Sequence, residues 1–176
     1  LQLGVKLGID TKTIAAALFN FSGVNRRMQK LAAFEKLSLT VIDDYAHHPH
    51  EVASTLEALA PQYERLLVFW EPHRLSRFSH FHHEFETVLR PYAQKDRVIV
   101  LPVFQSGDKP EDYPQAQTQY LKFQQSPYQA IATITELDLA SLKLGTVKTA
   151  AIFMGAGKSS DYAKEFADRM VAYATR

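Results

Sequence analysis

Residues 41–52, VIDDYAHHPHEV, set two aspartates, a phenol and three imidazoles where an apolar run gives way to a helix-like one. A carboxylate at a strand end can accept paired hydroxyl hydrogen bonds from a ribose or orient a metal-bound water. An imidazole beside it binds an anion when protonated, or acts as donor and acceptor when neutral. The plainer alternative is that Asp43 or Asp44 caps the following helix while His47, His48 and His50 are solvated. A second cluster, EPHRLSR at 71–77, brings His73, Arg74 and Arg77 to the start of a helix, where free N–H groups and the dipole already favour anions. Arginine forks match carboxylates and phosphates in bidentate fashion, so a small anionic group is the natural ligand. The alternative here is an exposed arginine pair over Glu71.

Three other stretches carry weaker signals. GAGKSS at 155–160 lacks the first glycine of a phosphate-wrapping loop, since Ile152 stands there, and Ser160 stands where a dinucleotide fingerprint needs its third glycine. What remains is a tight turn in which Gly155 and Gly157 permit close backbone approach, either to an anion or to a neighbouring loop. GVNRR at 23–27 places two arginines after a glycine turn, able to reach a phosphate or to solvate an edge. His47, His48, His50, His80, His82 and His83 give six imidazoles, enough for zinc in number, yet in no familiar ligand spacing. A dedicated protein-only zinc site is not expected.

These turns need a frame to hold them. SLTVIDDY (38–45) reads as a buried strand. Pro49 fits a first helical turn, Glu51 follows, and Val52, Leu56 and Leu59 recur at helical spacing, predicting a helix over 49–60. The pattern repeats: a strand over 65–73, a helix over 76–92 with Phe78, Phe81, Phe85 and Val88 or Leu89 on one stripe, and a strand over 96–104. A loop rich in Gly, Pro and Asp comes next, then helices over 115–125 and 128–142, the second interrupted by Thr133-Ile134-Thr135. A last apolar strand with its glycine loop covers 146–157, and an amphipathic helix 159–174. Upstream, 11–19 reads as a short helix with Thr11 or Thr13 as N-cap, ending towards Ser22-Gly23. Strands alternating with helices predict an α/β, three-layer Rossmann-like domain: a mostly parallel sheet of about six strands with helices on both faces. Ligands of such sheets sit outside the carboxyl ends of the strands. That rule gathers 43–48, 71–74, 105–107 and 155–158 on one rim, the first two on neighbouring strand tips.

Composition narrows the partners. The 176 residues, 46% of them apolar, support one core. A net charge of +1 with 22% charged residues gives no basic excess for nucleic acid. No run approaches the ~20 apolar residues of a membrane span. The lack of cysteine excludes disulfides and thiolate metal sites and fits a reducing cytosol. The chain opens at Leu1 rather than Met and goes straight into Leu3, Val5, Leu7 and Ile9, as a piece of a longer protein would.

Taken together, FSGVNRR (21–27), DDYAHHPHEV (43–52), EPHRLSR (71–77) and FMGAG (153–157), in that order and spacing, resemble the C-terminal domain of the Mur ligase family, over essentially all of 1–176. Within the family the resemblance is to the members that add L-alanine to UDP-N-acetylmuramate. It implies a cytoplasmic enzyme of peptidoglycan precursor synthesis that uses ATP and Mg2+. ATP phosphorylates the carboxylate, the amine attacks the acyl phosphate, and a tetrahedral intermediate collapses to the amide. The resemblance further implies that Arg27 and Asp44 approach ATP, while His47, Arg74 and Arg77 surround the incoming amino acid, the arginines facing its carboxylate. It assigns no catalytic residue and no metal ligand to these residues. The UDP-sugar domain and the central P-loop domain with the magnesium ligands would be further domains in cis, so the chain alone should be inactive and bind ATP or alanine weakly. Two positions depart from the family pattern: Glu71 stands where glutamine is usual, and His50 where threonine or a similar residue is common. A related recycling ligase, which attaches a tripeptide to the same nucleotide sugar, shares DDxAHHP but diverges from His73-Arg74-Leu75-Ser76-Arg77, which favours L-alanine. Two other classes remain open: a non-catalytic anion-binding Rossmann-like module, and a metal-dependent hydrolase built on the histidines.

Overall fold

The structure, a computed structural model, describes residues 2–21 and 23–175; Leu1 and the Ser22 of the expected turn lie outside the described residues. Six strands form one sheet: β1 (Gln29–Phe34), β2 (Leu39–Asp44), β3 (Arg65–Trp70), β4 (Arg97–Val100), β5 (Gln129–Ala130) and β6 (Thr149–Met154). Their spatial order is β1-β2-β6-β3-β4-β5, with β1 antiparallel to β2 and every other pairing parallel. The helices are α1 (Gln2–Lys6), α2 (Thr11–Phe19), α3 (Pro49–Leu59), α4 (Leu75–Lys95), α5 (Pro114–Lys122) and α6 (Ser159–Ala174).

The central strands are apolar on both faces because both faces are covered. Val68 and Trp70 of β3 and Ile152 of β6 point into a core shared with α3, α4 and α5. Their neighbours Leu67, Phe69 and Phe153 point to the other side, against Phe166 and Met170 of α6. The Phe69 and Phe153 rings stack with centroids 4.1 Å apart, and Trp70 packs on Phe85 at 4.7 Å. Such aromatic pairs add about 0.5–1.5 kcal/mol each beyond their buried area.

Several expectations needed correction. The stretch 128–142 is not a helix: it holds β5 and two 3-10 turns, Ile134–Glu136 and Ala140–Leu142. Thr133 adopts the extended φ −139°, ψ 156° that suits its branched Cβ, which interrupts a helix there. β1, which QKLAAF did not announce, forms the antiparallel edge. Strands β3 and β4 stop at Trp70 and Val100, earlier than expected, and the residues beyond them bend over the rim, where His73 and Phe104 form an isolated bridge. The α4 stripe of Phe78, Phe85 and Leu89 is buried, but a kink at Phe81 (φ −109°, ψ 16°) leaves that ring half-buried beside His48, 4.6 Å away. Asp10, rather than Thr11 or Thr13, caps α2 by accepting from the amides of Lys12 and Thr13. Neither α1 nor α2 buries a residue, and Leu3, Leu7, Phe19 and Phe21 are exposed.

Candidate functional site

The two turns that carry the chemistry do not arise on neighbouring strands, because β6 lies between β2 and β3. They meet nonetheless. The His47 and His73 rings approach to 5.6 Å, edge to face.

At the end of β2, successive side chains alternate between faces, so Asp43 and Asp44 have different surroundings. Asp44 accepts from the amides of Met28 (2.7 Å) and Ala46 (2.8 Å) and from the Thr55 hydroxyl (3.3 Å). Asp43 is fully buried with Arg26 Nε 3.5 Å from its Oδ2. Burial lifts its carboxyl above the usual range, against the pull of Ser160 and Arg26. Neither aspartate caps α3. That task falls to Glu51, whose Oε2 accepts from the amides of His47 (3.0 Å) and His48 (3.3 Å).

Glu51 also links two halves of the site. Its Oε1 is 4.0 Å from the exposed Arg27 guanidinium, and its Oε2 is 3.2 Å from His47 Nδ1. On the Arg27 side, a cleft of about 310 Å3 is lined by Arg27, Asp44, His50, Glu51, Ser54 and Thr55. Arg27 and Asp44, the pair expected near ATP, therefore share one cleft. On the other side, His47 Nδ1 lies 2.8 Å from the Tyr45 carbonyl, to which it donates, leaving Nε2 for a further contact.

The arginine turn is tightly built. Arg74 N donates to the Phe104 carbonyl (2.8 Å) and Phe104 N to that of Pro72 (2.8 Å). Arg74 itself sits at φ 65°, a conformation that costs a non-glycine residue about 1 kcal/mol or more. Its side chain is exposed at the mouth of α4. Asp108 accepts from the Ser76 amide (2.9 Å) and hydroxyl (2.6 Å), so part of the helix N-terminus expected to attract an anion is already served by the chain itself. Arg77 Nη1 donates to His73 Nδ1 at 2.9 Å. Burial, reinforced by the positive charge of Arg77, His47 and Arg74, pushes His73 down to about 4.

The glycine turn, expected to approach either an anion or a neighbouring loop, instead gives its amides to the side chain of Glu71. Glu71, only 1% exposed, accepts from the amides of Gly157 (2.8 Å) and Lys158 (2.7 Å), and burial raises its carboxyl. It is not the surface partner of the arginine pair. Arg26 closes the arrangement: Nη2 donates to the Gly155 carbonyl (2.7 Å) and to Ser159 Oγ (3.0 Å). Arg26 and Arg27 both lie over the Tyr45 ring, at 4.9 and 5.4 Å from its centroid. Glu51 thus joins the site without having been singled out for it, while Arg26 and His73, expected as anion-binding groups, are occupied by contacts within the chain. Each stood inside a recognised motif, yet only their contacts reveal the role.

Among the described residues no group of three His, Cys, Asp or Glu is placed to hold a metal ion. His80, His82 and His83 lie along α4 instead. A cavity of about 430 Å3 is bordered by Leu75, Val103, Ala116, Tyr120 and Ile131. No charged side chain lines it, so it offers an anion no partner. No described helix is long and apolar enough to cross a membrane.

With the fold and the rim described, the chain can be set beside known proteins. The family model described as "Mur ligase, glutamate ligase domain" matches residues 26–157. The chain belongs to the Mur ligase family. Among curated relatives, the UDP-N-acetylmuramate–L-alanine ligase of Synechococcus sp. is 31% identical over 176 residues, covering 99% of this chain and 33% of that protein. The protein of the same name in Acidithiobacillus ferrooxidans is 42% identical over 106 residues, 59% of this chain and 22% of its own. The crystal structure of UDP-N-acetylmuramate-alanine ligase MurC from Thermotoga maritima superposes with TM-score 0.69 at 25% identity, over 98% of this chain and 36% of that one. MurF from Acinetobacter baumannii shares the fold, with TM-score 0.64 at 15% identity, over 94% of this chain and 35% of its own. The chain spans about a quarter to a third of the length of the curated relatives it matches. The Mur ligase match begins at Arg26, beyond α1 and α2.

Proposed function

We propose that this chain is the C-terminal, amino-acid-binding domain of a cytoplasmic, ATP-dependent Mur ligase that joins L-alanine to the lactyl carboxylate of UDP-N-acetylmuramate through an acyl phosphate. A UDP-sugar domain and a central ATP-binding domain would act with it in cis. The reading rests on the convergence of His47, His73 and Arg77 on one rim, held by the 5.6 Å ring contact and the 2.9 Å hydrogen bond. The names of the relatives that match it support the same substrates.

On this reading Arg74 and Arg77 bind the L-alanine carboxylate and neutralise it, so that the amine faces the acyl phosphate in a near-attack geometry. His47, with its Nδ1 given to Tyr45, presents Nε2 to the amino acid. Arg27 reaches the nucleotide from the cleft that Asp44 lines; the Asp44 carboxylate, already holding three local donors, fixes that wall and keeps a lone pair for the ligand. Mg2+, bound with ATP, supplies charge neutralisation for the phosphates. On this reading its protein ligands belong to the central domain. The exposed apolar side chains of α1 and α2 fit a surface that the preceding domain covers.

Kinetics of the full-length ligase test this. Arg77→Ala should raise KM for L-alanine by roughly 10–100-fold through loss of a charge-assisted hydrogen bond, with KM for ATP little changed. An unchanged KM for L-alanine, or a better turnover with a tripeptide amine, would exclude the assignment.

A further inference from the structure

Resting on the amino-acid-binding reading, we propose that His73 is a positioning residue for Arg77: as a neutral acceptor it turns the guanidinium so that its remaining N–H groups are left for the substrate carboxylate. Arginine has only donors to offer, so the 2.9 Å contact from Nη1 requires a lone pair on His73 Nδ1 and a proton on Nε2. The ring is fixed on every side that matters. It stacks on Phe104 with centroids 5.5 Å apart and planes 15° from parallel, it meets His47 edge-on, and its backbone pairs with that of Phe104. A side chain so held is a rigid acceptor, and Arg77, one helical turn along α4, inherits that rigidity. Burial keeps the acceptor neutral and the surrounding charges add to it: Arg77 from α4, His47 from the β2 turn and Arg74 at the mouth of α4 oppose a second proton, against Asp108 from the loop beyond β4, which favours one. An imidazolium here would face Arg77 as a like charge and release it.

The test uses the full-length ligase with His73→Asn, whose amide oxygen can stand in for Nδ1, and His73→Leu, which fills space without accepting. His73→Leu should raise KM for L-alanine by roughly 10–100-fold, comparable with Arg77→Lys, with kcat within about threefold. His73→Asn should stay within about fivefold of the parent, and the His73→Leu, Arg77→Lys double variant should be little worse than either single one. Equal KM values for the Asn and Leu variants would overturn the proposal, reducing His73 to packing. If Arg77→Lys alone leaves KM for L-alanine unchanged, the amino-acid reading fails instead, and the two failures are told apart. Should a variant not fold, nitrogen NMR of histidine-labelled parent enzyme decides: a neutral Nε2–H ring for His73 at pH 7 supports the proposal, and a cationic or Nδ1–H ring overturns it.

Discussion

Glu71 and Asp43 are carboxylates almost out of contact with water, at 1% and 0% exposure, and each is tied to the rim through Arg26 or the glycine turn. Both are raised by burial. For Glu71 the folded protein therefore holds the proton more tightly than the unfolded chain, whose glutamate titrates near its ordinary 4.5. Stability is greatest below that value and falls as pH climbs through the raised one, by about 1.4 kcal/mol for each unit of elevation. Glu71→Gln, which cannot titrate, should flatten the part of the stability profile that falls above pH 4.5, with Asp43 left to supply what slope remains. Urea unfolding at several pH values checks it, and parallel profiles for parent and variant would count against the argument. The price of keeping Glu71 is offset locally by two amide hydrogen bonds, which a glutamine could match with only one acceptor oxygen.

At the scale of elements, the glycine turn between β6 and α6 packs closely on Glu71 at the end of β3 and on Phe104, the ring that stacks on His73. A Cβ at Gly157 would stand 2.3 Å from Phe104 Cγ and 2.7 Å from Glu71 Oε1; at Gly155 it would meet Glu71 Cβ at 2.8 Å. Phe104 stacks on His73 and Glu71 is buried, so neither can move aside cheaply. Gly157→Ala should therefore cost about 1–3 kcal/mol, lowering the unfolding midpoint by roughly 3–10 °C. It should also raise KM for L-alanine in the full-length ligase, because the displaced Phe104 carries His73 with it. Thermal unfolding and kinetics report the two effects separately. The same element explains why β3 and β4 end short of their apolar runs: beyond Trp70 and Val100 the chains leave the ladder to pair His73 with Phe104.

For the whole molecule, the site is one wall. Arg27, Arg74 and His50 are exposed, and the cleft and rim face outward with no opposing surface among the described residues to exclude water. Calorimetry on the 176-residue chain should accordingly find ATP binding weaker than ~1 mM, and tight binding would contradict the division of labour proposed here. Much of this frame was legible in the sequence. The strand at 38–45, the helices at 49–60 and 159–174, and the strand-to-helix turns with their acids, histidines and arginines follow from local periodicity and from Pro and Gly punctuation, which act over a few residues. The sequence alone also determined which side chains could carry charge to a rim. What it left open depended on partners distant along the chain: Arg26 with Gly155, 129 residues apart, and Glu71 with Gly157, 86 apart. Only the tertiary structure decided that β6 inserts between β2 and β3, that Glu71 rather than an anion takes the turn's amides, and that Asp44 is bonded to its own loop. The physical reason is that hydrogen-bond partners and burial are properties of strand order, and strand order is fixed by which faces can be covered together, not by any local pattern.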